Sequence, residues 1–236
     1  KHIVGLTYSQ SLFDGKMQNV FFAKDYVNHP NIRQTDQSTV TGSDKVQGST
    51  TKNYLGYGAG LRYTFFNPLA VKISYEHSVR LPIARELLGN GTTVYANVAL
   101  EPEKSNNVNL ALFGTWRPAA RHTVYYETNG FLRYVDNYIQ TSVIEKVGML
   151  QYVNDPAVHI KGVEGEVSYD WDGRLQLMAN VSYQDARDQQ KYKEDGKPSA
   201  TYNNHVPNRP WLFGSAEASY TFRNLWQQGG KLRLGC

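Results

Sequence analysis

Cysteine is all but missing from these 236 residues: Cys236, the last residue, is the only one. No internal disulfide, thiolate zinc knuckle or redox pair can be built from it, and the sequence assigns it no role. Also absent is any apolar run approaching the roughly 18 residues of a transmembrane helix, which excludes a helical membrane protein. Charge of one sign is lacking as well. The 25 Lys and Arg stand against 21 Asp and Glu, without a dense basic cluster, and this argues against nucleic acid as a partner. Methionine is scarce, and helix formers dominate no long window. The opening stretch, Lys1 to Tyr8, lacks the basic, apolar and small-residue zones of a secretory signal, so the chain is expected to begin within a longer protein.

What the sequence does have is tyrosine, glycine and a strict alternation. From Leu69 to Leu81 one face reads Leu69, Val71, Ile73, Tyr75, His77, Val79, Leu81, and the other Ala70, Lys72, Ser74, Glu76, Ser78, Arg80. A strand with those faces has an apolar medium on one side and water on the other. The split recurs in Asn53 to Phe65, Val163 to Trp171 and Arg174 to Tyr183. Shorter or weaker versions are His2 to Tyr8, Met17 to Val27, Asn106 to Trp116, His122 to Ile139, Leu212 to Phe222 and Lys231 to Cys236. A single helical turn is expected around Ile83 to Leu88.

The links alternate too. Short ones are Gln10 to Lys16, Phe66 to Pro68, Arg117 to Arg121, Asp172 to Gly173 and Arg223 to Gly230. Long, polar ones are Asn28 to Thr51, Pro82 to Lys104, Asp136 to His159 and Asp185 to Pro210. They read as loops. A soluble antiparallel sandwich also has alternating strands, but it has no reason to put every long link at one end, and its strands are shorter. A bacterial outer-membrane barrel has short periplasmic turns, long extracellular loops and half-apolar strands of about 10 residues. Phe65, Phe66, Trp116, Tyr169, Trp171 and Phe222 lie beside the short links, where an interfacial aromatic girdle belongs. The expected fold is all-β, an antiparallel up-and-down transmembrane β-barrel.

Two stretches carry a family resemblance. In Ser78 to Leu112 the residues Arg80, Pro82, Glu86, Leu87, Leu100, Pro102, Glu103, Ser105 and Asn107 are similar to a segment of the TonB-dependent outer-membrane receptors. In Tyr152 to Ala186, a tyrosine and asparagine, then Lys161-Gly162-Val163-Glu164, then Ser182-Tyr183-Gln184-Asp185-Ala186, resemble that family's late-barrel pattern. Val206-Pro207-Asn208-Arg209-Pro210 resembles the link before a late strand. The resemblance implies a 22-stranded barrel plugged by a separate N-terminal domain. By that measure residues 1–236 are a barrel segment of about ten strands, without plug or TonB-contacting segment, stopping before the terminal aromatic strand. The implied function is energy-coupled uptake of a scarce nutrient: a siderophore or other metal chelate first, or cobalamin, an oligosaccharide or a peptide. The implied partners are outer-membrane lipid, the plug of the same protein, TonB and the nutrient. A passive porin or an adhesin-like barrel is the competing reading.

No enzyme chemistry, cofactor or metal is expected. Glu164 and Glu166 share one face as an acid and base pair would, but every polar face here carries such groups, and they read as solvated lumen residues. His2, His29, His77, His122, His159 and His205 are dispersed without ligand spacing. Gly56, Gly58 and Gly60 lie on one strand face rather than in a phosphate loop, and are expected to leave room for the plug. Ligand contact is expected from long links, with Tyr95 and Asn97 as candidates and the Asn28 to Thr51 link as a mobile alternative.

Overall fold

The computed structural model describes residues 2–28, 31–35, 45–49, 52–144, 148–192 and 196–236. In chain order the strands are β1 (His2–Leu12), β2 (Met17–Asn28), β3 (Asn31–Thr35), β4 (Lys45–Ser49), β5 (Lys52–Phe66) and β6 (Leu69–Arg80). A one-turn helix, α1 (Ala84–Leu88), follows, then β7 (Val94–Tyr95), β8 (Glu103–Ala119) and β9 (His122–Ile144). The chain ends with β10 (Met149–Trp171), β11 (Leu175–Asp188), β12 (Leu212–Arg223) and β13 (Lys231–Gly235).

The main sheet is an antiparallel meander in the order β1-β2-β5-β6-β8-β9-β10-β11-β12-β13, with β7 added in parallel to β10; β3 and β4 form a separate hairpin. Among the described residues β1 and β13 have one partner each, so the sheet is open. All ten expected segments are strands of this meander. The reversals at the short-link end are tight. After Trp171 the chain turns through Asp172 and Gly173, both at positive φ, and Arg174 N donates to Trp171 O at 2.8 Å. Both central residues at positive φ suit the right-handed twist of a hairpin, which is why Asp-Gly stands there.

Cross-strand register sorts the side chains by medium. One row runs Leu61, Ile73, Leu110, Gly130, Val163, Tyr183 and Leu212. The neighbouring row, one residue along each strand, runs Arg62, Lys72, Ala111, Asn129, Glu164, Ser182 and Phe213. Ile73 is 47% exposed although apolar, as are Leu61, Leu110 and Val163, so no core of this chain covers them. A contiguous exposed apolar face of this extent marks contact with lipid. From Trp171 to His159, β10 covers about 40 Å of strand, or about 30 Å of depth at a tilt of about 40°. That matches the hydrocarbon thickness of a bilayer.

One expectation needs correction. Asp136 to His159 is no loop: β9 and β10 stay paired up to Ile144 and Met149, so the hairpin stands well above the apolar belt. Tyr138, Ile139, Thr141, Val143, Ile144, Tyr152 and Val153 favour strand strongly enough to override the intervening polar residues. The turn around Ile83 to Leu88 is there as α1, capped by Glu86 accepting from Ile83 N at 2.9 Å. Of the Asn28 to Thr51 link only the backbone of β3 and β4 is described, and ligand contact there lies outside the described residues.

Candidate functional site

The polar face is concave. A groove of about 560 Å³ is lined across β2, β5, β6, β8 and β9, with Arg62, Lys72, Glu76, Asn109, Tyr125 and Glu127 supplying its polar groups. Lys24 lies 4.6 Å from the Phe22 ring centre and 3.6 Å from Glu76 Oε1; the Arg62 guanidinium lies 5.0 Å from the Phe113 ring centre. Tyr125 donates to Glu127. Both signs of charge alternate along this wall, which suits a hydrated or polar body and sets up no field of one sign.

The glycine row on this wall has a different explanation from the expected one. A Cβ on Gly58 would sit 2.6 Å from Phe22 Cζ, and one on Gly56 would sit 3.0 Å from the Tyr26 ring. Those two glycines therefore seat aromatic rings of the adjacent strand β2, and of the three only Gly60 would take a Cβ at ordinary contact distance, 3.8 Å from Ser74 Cβ. Phe131 over Gly162 repeats the device. Glu164 and Glu166 face the same side, both exposed, with Asn129 Nδ2 3.4 Å from Glu164 Oε2.

Above the belt, the Pro82 to Lys104 link is ordered rather than loose. Arg80 fixes its two ends: Nη1 donates to Glu86 at 2.9 and 3.1 Å, while Nε and Nη2 donate to the two Glu103 oxygens at 2.7 Å each. Glu103 Oε1 also accepts from Ile139 N at 2.7 Å, tying the link to β9. Arg80, Glu86 and Glu103 were visible in the sequence as motif residues, and their spatial meaning is this bidentate clamp. The link then crosses to β10, where β7 pairs Val94 with Leu150 and Tyr95 with Gln151.

The two candidate ligand residues thus lie together against β10. Tyr95 is half-buried. Asn97 donates from Nδ2 to Tyr152 O at 2.8 Å, accepts at Oδ1 from Ala99 N at 3.1 Å, and has its own N–H on Leu87 O. Gln151 Nε2 reaches Ala96 O, and Asn154 joins Glu101 to Asn137. Spacing in the sequence gives Gln151 no such fastening role, because its partner is a backbone group some 55 residues away.

The β11–β12 link folds onto the same platform. Val206 N donates to Ala186 O, Asp188 N to Asn204 O and Gln189 N to Ala157 O. Beneath it lies a buried cluster of Phe131, Val135, Tyr138, Val158, Ile160, Ala186 and Val206. Arg209 Nε donates to Tyr138 Oη at 2.7 Å. Asp155 and Asp188 are both buried here. Burial first, and then the charge of Asp188, pushes the Asp155 carboxyl up to about 6. Among the described residues no group of three or more His, Cys, Asp or Glu is placed to hold a metal ion. Among the described residues four histidines have separate partners: His77 bonds Asn106, His122 bonds Tyr169, His159 packs on Tyr134, and His205 pairs with Asp185, while His29 lies outside the described residues.

No curated protein matches the chain in sequence. Solved structures share its fold. The copper transporter OprC superposes with a TM-score of 0.63 at 15% identity, covering 92% of this chain and 30% of its own. The hemophore receptor HasR of Serratia marcescens, solved with HasA and heme, gives 0.59 at 14%, covering 94% and 41%. The alcaligin outer-membrane receptor FauA of Bordetella pertussis gives 0.56 at 18%, covering 92% and 33%. The chain therefore spans 30–41% of the length of such molecules. The model of the TonB dependent receptor-like β-barrel matches residues 18–235, so this chain belongs to the TonB-dependent receptor family, whose members are transport receptors of the Gram-negative outer membrane, and forms part of the barrel.

Proposed function

We propose that this chain is wall and capture surface of a receptor that takes up a scarce nutrient with energy relayed by TonB, a siderophore or other metal chelate before cobalamin, an oligosaccharide or a peptide. The observation that carries the reading is the fixed platform above the belt: two wide links, 83–102 and 189–211, fastened onto the β9–β10 hairpin. A passive pore needs no such ordered construction at its mouth. The similar structures include a copper transporter, a hemophore receptor solved with heme and an alcaligin receptor, which supports putting metal-bearing ligands first. Tyr95 and Asn97 sit on that platform, and Tyr95 is the one with a half-exposed ring to offer. The polar groove is the surface against which a plug of the same protein would rest.

The test is uptake by cells expressing the full-length receptor. Radiolabelled ferric chelates are expected to accumulate only when TonB and the proton gradient are intact. Uptake that persists after TonB deletion, together with unenergised solute flux through liposomes, would replace this reading with the porin one. Tyr95→Ala is expected to weaken ligand binding at least tenfold, with barrel assembly unchanged on heat-modified gels.

A further inference from the structure

Tyr95 is carried by a segment that folds on itself before it touches the barrel. Asn90 Oδ1 accepts from the N–H groups of Thr92, Thr93 and Val94 at 3.0, 2.9 and 2.8 Å, and Asn90 Nδ2 donates to Thr93 Oγ1 at 2.8 Å. Asn90 N donates to Val94 O at 3.1 Å and Asn97 N to Leu87 O at 2.8 Å, which closes residues 87–97 into one loop. A compact loop tied to itself in this way moves as a body, so the place of the Tyr95 ring is set where that body is held.

It is held at two places. One is the edge of β10, where Leu150 N donates to Thr93 O at 3.0 Å and only Val94 and Tyr95 are paired. The other is α1, a single turn with no stability of its own. It is fixed through Glu86, which Arg80 Nη1 reaches at 2.9 and 3.1 Å. This clamp lies above the belt: Arg80 pairs with Glu103, one residue beyond the row of Lys104, Asp136 and Ala157 and so past His159.

The clamp is also unequal in charge. The Glu86 and Glu103 side chains are only 11% and 13% exposed, and they share the one guanidinium. Without it two nearly buried carboxylates would face each other uncompensated, an arrangement that relaxes by moving apart. Glu103 would stay on Ile139 N, while Glu86 would carry α1 away. A lysine could not replace the arginine fully, because a point charge does not grip two carboxylates in two-pronged fashion as the guanidinium fork does.

We propose that Arg80 is a positioning residue for ligand capture: it touches no ligand, and through Glu86 and α1 it holds the 87–97 loop so that the Tyr95 ring meets the ligand. The inference rests on the uptake reading for the ligand, and on the clamp alone for the loop.

Two measurements on the full-length receptor test it, amide exchange without ligand and uptake kinetics by cells with radiolabelled ferric alcaligin and hemin as probes. In Arg80→Gln, exchange at Leu87 N and Leu150 N is expected to rise at least about tenfold while belt amides stay unchanged, since only the loop loses a support. For a probe that enters, KM is expected to rise about tenfold with Vmax within about twofold, the mark of lost binding rather than lost transport. Arg80→Lys should fall between, and Glu86→Gln, which cuts only the α1 arm, should reproduce the loss and decides the matter if Arg80→Gln fails to assemble. Adding Arg80→Gln to Tyr95→Ala should raise KM no further, because the first acts through the second. Additive losses would show general loosening and overturn the proposal. Unchanged exchange at both amides would overturn it as well, whatever the probes do. Loosened amides in the variant with neither probe entering wild-type cells would leave the clamp standing and count against the uptake reading, so the two failures are distinguishable.

Discussion

The two ends of these strands are stabilised in different ways. Through the belt, side chains are sorted rather than enclosed: the Leu61–Ile73–Leu110 row meets hydrocarbon, the Arg62–Lys72–Asn129 row meets the lumen, and the backbone ladder does the holding. From the belt's upper end upward, Phe131, Val135, Tyr138, Val158 and Ile160 are shut away from both media under a link that returns from β11. The first arrangement needs only the right polarity at each position. The second needs particular shapes to meet across the fold, and is closer to the core of a soluble domain.

Shape should therefore matter most at the upper end. Phe131→Ala removes a ring 5% exposed that covers Gly162 and lies 4.8 Å from the Arg133 guanidinium. The expected loss is about 3–5 kcal/mol in urea unfolding. Amide exchange is expected to rise first at Asp188 and Val206, whose N–H groups hold the link down. Uniform loosening of belt and platform together would erase the contrast between the two ends.

In the belt, polarity should decide. Ile73→Arg is expected to cost on the order of 2–4 kcal/mol near the bilayer midplane. Lys72→Ala, one residue along and on the other face, should stay within about 0.5 kcal/mol. Folding into liposomes measures both, and equal sensitivity of the two positions would contradict the assignment of faces.

The same division explains what the sequence revealed. Alternation with period two is a local signal, so all ten strands and the tight Asp172-Gly173 turn could be read directly. Nothing local distinguishes Asn154, which fastens a link to two backbone carbonyls, from an Asn in a loose loop. Nor does anything local show that Gly58 answers Phe22 or that Arg80 joins Glu86 to Glu103, since each pair meets through register or a returning link. The Asp136 to His159 stretch was misread for a related reason: its Asn, Asp and Pro looked like loop punctuation, while the strand formers between them found partners across the hairpin.

The smallest effect expected is a dependence on pH confined to the platform. Asp155, 7% exposed, accepts from Gln140 Nε2 at 2.9 Å, and burial followed by the Asp188 charge lifts its carboxyl to about 6. In the unfolded chain the same group ionises near its ordinary value of 3.8. Between those values the folded protein binds the extra proton, so stability is greatest on the acid side, falls as pH rises through about 6, and is level beyond. The loss should be on the order of 1–2 kcal/mol. Exchange at Gln189 N, which donates to Ala157 O beside Asp155, should then be slower near pH 5 than near pH 7.5 once intrinsic rates are divided out. Asp155→Asn keeps the shape, removes the ionisation and should flatten that difference, while exchange in the belt amides stays the same in both proteins. A variant that kept the full pH dependence would move the titration to another group and leave the two ends of the sheet alike in this respect.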